Sequence, residues 1–337
     1  QSIRHDKEIK ADLENLLQMF LDKEIDDWRW EILDFASALS SGRQYSKEQF
    51  THVFAIFEKY EQVLETNNLT NGQTAMSMEV INEIYKERLK NGEQVLGTMV
   101  TTFASPDIAK ILQSCGFDFF IVDCEHGAFT TREAANIIAV ARGIGMPALV
   151  RIPEMRREHA LKFMEMGASG LLLPNTETAE QARMLVDCTK YAPMGHRGVS
   201  LSRPHTDFKR VDGREYMRRA NEETILMCQI ESRKGVENIG EIMAVEGIDV
   251  GFIGPNDMTQ DYGILNQFGH PDIVAAFEKV IAAAEENGKW AGVHFGAAEP
   301  LKPWLARGMQ MNMWNSDNGL LALGASEIAG LRGKEQA

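Results

Sequence analysis

The chain changes its hydrophobic rhythm near residue 75. Before that point apolar residues recur at helical spacing. Leu13, Leu16, Leu17 and Phe20 form one stripe, and Ile32, Leu33, Phe35, Ala36 and Leu39 a second. Phe50, Val53, Phe54, Phe57 and Val63 form a third, and Ser46 with Gln49 has the spacing of a capping box at its start. Through Thr70 there is no proline, and Gly42 is the lone glycine. The polar run T-N-N-L-T-N-G-Q-T then reads as a linker. This pattern predicts a small all-helical domain over residues 1–75, with Trp28 and Trp30 in its core or on a docking face.

From residue 76 to 337 the pattern alternates, after a lead-in helix over Val80–Leu89. Strand-like apolar runs occur at Val95–Thr101, Phe119–Asp123, Ala148–Ile152, Gly170–Leu173, Ile225–Ile230, Val250–Ile253, Trp290–Phe295 and Met311–Trp314. Amphipathic stretches separate most of them: Asp107–Ser114, Arg132–Arg142, Ala179–Cys188, Val236–Val245 and Ile273–Glu286. Continuous apolar strands with intervening helices indicate a parallel sheet covered on both faces. Eight such units over about 240 residues predict an α/β fold, a (β/α)8 TIM barrel with functional groups at the carboxyl ends of its strands. An open doubly wound sheet would call for a glycine-rich phosphate loop after the first strand, where the chain has T-T-F-A-S-P. The long segment from Gly195 to Glu223, with R-G-V-S-L-S-R-P-H, reads as a loop over the barrel mouth.

At 337 residues, one barrel plus an appendage fits the length. A net charge of −14 argues against nucleic acid or an anionic membrane surface as a partner, since both need clustered Lys and Arg. No run reaches the ~18 apolar residues of a membrane span. The start, Q-S-I-R-H-D-K, is not a signal peptide, and its lack of an initiating Met points to a trimmed start. Four cysteines without C-x-x-C pairing predict reduced thiols in a cytoplasmic protein.

Polar groups fall at the ends of several strand-like runs. Glu231 in Q-I-E-S and Asp257 in G-P-N-D supply hard oxygen ligands without a neighbouring Cys or His, which suits Mg²⁺ or Mn²⁺ better than zinc. The alternatives are an ion pair of Glu231 with Arg233 or Lys234, and helix capping by Asp257. Arg151 in A-L-V-R-I-P could stabilise an enolate or hold a carboxylate, with a structural salt bridge an equal alternative. His126, three residues after Asp123 in V-D-C-E-H-G, could act as a general base or be an ordinary loop histidine. His294, on the seventh run, has no assigned role.

These segments, in this order, resemble the HpcH/HpaI family of metal-dependent class II pyruvate aldolases. The resemblance runs from about Ile84 to Arg332. It is carried by S-P-D-I-A-K-I-L, F-D-F-F-I-V-D-C-E-H-G, P-A-L-V-R-I-P, L-L-L-P-N-T-E-T-A-E-Q-A, R-G-V, Q-I-E-S and V-E-G-I-D-V-G-F-I-G-P-N-D. It implies reversible aldol cleavage of a 4-hydroxy-2-oxo acid to pyruvate and an aldehyde, in a homo-oligomer, dimer-based or hexameric, that exchanges its last helix. Glu231 and Asp257 are then the ligands of Mg²⁺ or Mn²⁺, with Co²⁺ a further option. His126, near Asp123, is the base working through metal-bound water, and Glu165 is the carboxylate that raises its basicity. Arg151 steadies the enolate, Gln229 contacts substrate, and the backbone of Asn256 and Asp257 receives the pyruvate carboxylate.

The chain departs from the family at Cys124, at Asn256, in the polar eighth strand M-N-M-W-N-S, and in carrying its first 75 residues. These departures keep a second reading open: a carbon–carbon bond-forming synthase of specialised metabolism acting on oxaloacetate, resembling the citrate-forming or macrophomate synthases of this scaffold. A third reading gives the helical domain a protein partner.

Overall fold

The computed structural model describes Trp28, Glu31, Ile32, Phe35 and residues 47–66 and 93–330. The chain groups into two units, Gln1–Glu87 and Arg88–Ala337. In the first, helix α1 (Lys47–Thr66) supplies Val53, Ile56 and Tyr60 to a buried cluster with Ile32 and Phe35. Trp28, Phe54, Phe57 and Val63 pack against that cluster, so Trp28 is part of a hydrophobic contact. The Leu13–Phe20 stripe, Trp30, Ser46, the linker and the Val80–Leu89 helix lie outside the described residues.

The second unit is a closed barrel of eight parallel strands in sequence order. They are β1 (Val95–Val100), β2 (Phe119–Asp123), β3 (Ala148–Arg151), β4 (Gly170–Leu173), β5 (Ile225–Ile230), β6 (Val250–Ile253), β7 (Trp290–Phe295) and β8 (Met311–Ser316). The intervening helices are α2 (Ile108–Ser114), α3 (Thr131–Gly143), α4 (Arg157–Glu165), α5 (Ala179–Thr189), α6 (Gly213–Glu223), α7 (Arg233–Glu237), α8 (Ile239–Met243), α9 (Pro255–Asp261), α10 (Pro271–Glu286) and α11 (Ala298–Ala306). Helix α12 (Asp317–Gly330) follows β8. Capping boxes start two of the helices where the sequence turns polar: Thr130 with Glu133 opens α3, and Thr178 with Gln181 opens α5. The stretch expected as one helix over Val236–Val245 is two short ones, α7 and α8, meeting at Asn238.

Side-chain alternation along the strands divides the core. Residues of one parity fill the barrel, among them Val95, Met99, Phe119, Ile121, Leu149, Leu172, Met227, Phe252 and Met313. The other parity packs against the helices in a larger layer. Two glycines make the interior fit: a β-carbon on Gly97 would meet the Phe119 ring at 2.4 Å, and one on Gly292 would meet Phe252 at 2.6 Å. The interior is therefore a packed core, and the polar residues are confined to one end of it. Continuing the inward parity gives Phe119–Ile121–Asp123 on β2, Leu149–Arg151 on β3 and Met227–Gln229–Glu231 along β5.

One expectation is corrected. The segment Gly195–Glu223 is a helix-to-strand connection, leading from α5 to β5, and so belongs to the amino ends of the strands rather than the mouth. It is tied there by bonds to helix ends: Arg142 Nη2 donates to the His205 carbonyl at 3.2 Å, and His205 Nδ1 pairs with the Glu165 carbonyl at 3.0 Å. It also contains an α-helix, α6, opened by Asp212, whose side chain accepts from the Arg214 and Glu215 amides. The exchange of direction between helices and strands puts every such connection at the end opposite the strand carboxyl termini.

Candidate active site

Asp123 and Arg151 are direct partners in the β2–β3 register, so their side chains leave the same face of adjacent strands. Arg151 Nε donates to Asp123 Oδ1 at 2.9 Å and Nη2 donates to Oδ2 at 2.7 Å. The third nitrogen, Nη1, lies 3.2 Å from Glu125 Oε2. Asp123 is 1% exposed and Arg151 8%. Burial by itself would raise the Asp123 carboxyl, but the guanidinium outweighs it and holds the group below the ordinary carboxylate range. Burial would likewise lower the Arg151 guanidinium, and its hydrogen bonds to Asp123 with the charges of Asp123, Glu125 and Glu231 more than offset that.

Asp123 Oδ1 also accepts from the amides of Glu125 and His126, at 3.0 and 3.3 Å, which fixes the turn that carries the histidine. His126 is exposed, its Nε2 3.9 Å from Glu125 Oε2. Between these residues, burial pushes the Cys124 thiol up to about 12, so it is no nucleophile at neutral pH.

Glu231 follows β5. Its Oε1 accepts from the Asn175 amide at 2.7 Å, and its Oε2 from Gln229 Nε2 at 2.6 Å. Asn175 adopts a left-handed φ of 48° to deliver that amide. Gln229 Oε1 is buried and has no hydrogen-bond partner. Arg233 and Lys234, the alternative partners of Glu231, are engaged elsewhere: Arg233 donates to the Tyr262 carbonyl at 3.1 Å and Lys234 pairs with Glu177 at 3.0 Å.

Asp257 is exposed in the first turn of α9, and its carboxylate makes no hydrogen bond or ion pair among the described residues. Burial, followed by the charges of Asp257 and Glu125, pushes the Glu231 carboxyl up to about 7, against the opposing Asn175 hydrogen bond. Burial first, and then the charges of Asp123 and Asp257, also raise the Glu125 carboxyl against Arg151 and His126.

The donor set fits a hard divalent cation. Glu231 and Asp257 belong to the ends of neighbouring strands, and no three His, Cys, Asp or Glu side chains among the described residues form a complete ligand group. Two carboxylates with further positions for small oxygen ligands suit Mg²⁺ or Mn²⁺. Burial is the main cause of the raised Glu231 carboxyl, and the charges of Asp257 and Glu125 add to it. Gly254, just after β6, leaves room beside Glu231: a β-carbon there would lie 2.4 Å from Glu231 Oε2 and 2.8 Å from Gln229 Nε2.

Of the residues named from sequence, Asp123, Arg151, His126, Gln229, Glu231, Asn256 and Asp257 all lie at or just beyond the carboxyl ends of β2, β3, β5 and β6. Glu165 does not join them. It ends α4, which runs opposite to the strands, so within one chain it lies at the other end of the barrel beside His205. Glu125 was not singled out from sequence, although its position two residues after Asp123 keeps it on the inward parity. His294 lies on the inward parity of β7; burial lowers its imidazole, opposed by a 2.8 Å bond between Nε2 and the Asn315 carbonyl.

The barrel with these polar groups at the carboxyl ends of its strands is matched over residues 99–322 by the family model for HpcH/HpaI aldolase/citrate lyase. The chain belongs to that family and is an enzyme of its lyase type. It is 34% identical over 217 residues to a 2-keto-3-deoxy-L-rhamnonate aldolase of Salmonella gallinarum (strain 287/91 / NCTC 13346), covering 64% of this chain and 79% of that protein. It is 34% identical over 256 residues to a hydroxypyruvate/pyruvate aldolase of Deinococcus radiodurans, covering 75% of this chain and 91% of that one. Among solved structures, an HpcH/HpaI aldolase from Desulfitobacterium hafniense DCB-2 superposes with a TM-score of 0.70 at 39% identity, over 75% of this chain and 96% of that one.

Proposed function

We propose that this enzyme is a divalent-metal-dependent aldolase that interconverts a 4-hydroxy-2-oxo acid with pyruvate, or a close 2-oxo acid, and an aldehyde. The observation that carries this reading is that buried Glu231 lies within electrostatic reach of Asp257, Glu125 and the buried guanidinium of Arg151 at the carboxyl end of the barrel. The names of the two aldolase relatives support a small 2-oxo acid as substrate.

Glu231 and Asp257 would hold the cation, which when bound supplies Lewis-acid polarisation of the 2-oxo group. The remaining roles fall to the chain. In the cleavage direction His126 takes the proton of the C4 hydroxyl. The C3–C4 bond then breaks, its electron pair passing into the enolate of pyruvate as the aldehyde leaves. Arg151, immobilised by Asp123, faces the developing oxyanion with a charge that needs no reorganisation. Protonation of the enolate at C3 yields pyruvate. Gln229 offers its unpartnered Oε1 to substrate. The amides of Asn256 and Asp257, unbonded within the described chain, are available to a carboxylate.

Glu165 assists His126, in this reading, only from a neighbouring copy. Exposed Leu321, Leu323 and Ile328 on α12 support a homo-oligomer. Residues 1–75 would form a separate helical domain open to a protein partner. Four free cysteines support a reducing, cytoplasmic setting, and no helix among the described residues is long and apolar enough to cross a membrane.

The test is incubation with Mg²⁺ or Mn²⁺ and either pyruvate plus glycolaldehyde or oxaloacetate, the latter with and without acetyl-CoA, with products followed by NMR. Aldol product and pyruvate are expected. Citrate from oxaloacetate and acetyl-CoA would move the site to the synthase reading, and inertness toward every 2-oxo acid would overturn both.

A further inference from the structure

The mouth of the barrel holds a second buried carboxylate network that the reaction above does not use. It begins at a slip in the β1–β8 register: Gly97 opposes Met313, whereas Met99 opposes Ser316. The extra residue in β8 makes a bulge, with Asn315 at a left-handed φ of 60°. Its carbonyl accepts from Thr98 Oγ1 at 3.2 Å and pairs with His294 Nε2 at 2.8 Å. Two residues on, Asp317 is 4% exposed.

Asp317 Oδ1 accepts from Thr101 N at 3.0 Å, Thr101 Oγ1 at 2.9 Å and Asn318 N at 2.9 Å. Its Oδ2 accepts from Thr102 N at 3.0 Å and Phe103 N at 2.7 Å. None of these five is a helix-capping bond, which would come from an amide two or three residues further on. Four of the five reach a loop 214 to 216 residues away in sequence. Burial alone would raise this carboxyl, and the N–H donors outweigh it.

That loop abuts the histidine turn. A β-carbon on Gly127 would lie 3.0 Å from the Thr101 carbonyl oxygen and 2.2 Å from that of Asp123. The close approach of the Asp123 carbonyl within the turn excludes a side chain at Gly127, and the Thr101 carbonyl packs tightly against the same position. The turn is thus held on one side by Asp123, which also grips Arg151, and on the other by a loop that Asp317 pins. We propose that Asp317 is a positioning residue of the reaction: it fixes the Thr101–Phe103 loop against the Glu125–His126–Gly127 turn and so sets where His126 stands relative to Arg151. The assignment rests on the reading of His126 as the base, and the test separates the two.

The substitution is Asp317→Asn in the full chain with Mn²⁺, alone and combined with His126→Asn. Exchange of the pyruvate methyl protons with D₂O, followed by NMR, is expected to slow about tenfold in Asp317→Asn. It should slow no further when Asp317→Asn is added to His126→Asn, because the two act through one group. Amide hydrogen exchange, resolved by residue, is expected to quicken at Thr102, Phe103, Glu125 and His126 and to stay unchanged at Asn175. Equal slowing in both backgrounds, or unaltered exchange at Glu125 and His126, would overturn the proposal.

If Asp317→Asn does not fold, Thr101→Val removes one of the five bonds and must show the same pattern to a smaller degree. A wild-type enzyme that leaves the methyl protons untouched would defeat the aldolase reading, while the amide exchange still decides the role of Asp317.

Discussion

Arg151 and Asp123 are joined by a two-pronged hydrogen bond between adjacent strands, at 2.9 and 2.7 Å, inside the mouth of the barrel. A guanidinium in this position is rigid, with Nε and Nη2 on Asp123 and Nη1 beside Glu125. Breaking a buried pair by removing one member costs about 3–5 kcal/mol, because the other is left uncompensated. Asp123→Ala and Arg151→Ala should both lose stability of that order in urea titrations. Arg151→Lys keeps the charge but loses the fork. It should stay folded while its rate of pyruvate formation falls about 10²–10³-fold. An unchanged rate would remove Arg151 from the chemistry.

Glu231 makes the stability of the metal-free enzyme depend on pH. In the folded chain its carboxyl keeps its proton up to about 7, whereas an unfolded glutamate releases it near ~4.3. Between those values the folded state binds more protons than the unfolded one, so stability falls as pH rises through the window. Thermal midpoints of chelator-treated protein should therefore decline from pH 5 to 8. Glu231→Gln should flatten that slope, and added Mn²⁺ should reverse it, because the cation favours the ionised form. A wild-type slope equal to that of the variant would refute the assignment.

Gly254 permits a direct test of the ligand cavity. Its φ of −98° is one any residue can adopt, so Gly254→Ala does not strain the backbone. The new methyl would nonetheless occupy space 2.4 Å from Glu231 Oε2. We expect a folded protein whose Mn²⁺ affinity, measured by calorimetry, drops at least about tenfold. Retention of full affinity would show that Glu231 is not a ligand.

Helix α12 exposes Leu321, Leu323 and Ile328 at 61%, 54% and 67%. Apolar side chains so displayed call for a covering surface, and a second copy of the chain is the expected one. Sedimentation of the wild-type protein should show an oligomer, and a Leu321→Glu, Ile328→Glu double variant should shift it toward monomer. A monomeric wild type would discard the expectation.

Much of the barrel was legible because each strand announces itself locally. Five of the eight predicted runs coincide with the observed strands, Phe119–Asp123 and Trp290–Phe295 among them, and the other three differ by one or two residues at one end. Buried parallel strands are apolar on both faces, so their ends are marked sharply by the first polar residue. The same rule found Asp123, Arg151 and Glu231. It missed Glu125, which follows its strand in a turn. It also misread Gly195–Glu223, whose polar composition says loop or exposed helix without saying at which end of the barrel.

Sequence alone therefore determined the architecture and the identity of most mouth residues, since hydrophobic period and strand parity are properties of neighbours along the chain. Only the tertiary structure decided which of those residues meet. Barrel closure brings Asp317 of β8's end to Thr101 of β1's end, and the opposed direction of α4 carries Glu165 away from His126. Such juxtapositions depend on register, handedness and closure, which arise from interactions summed over the whole sheet and leave no mark on any short stretch of residues.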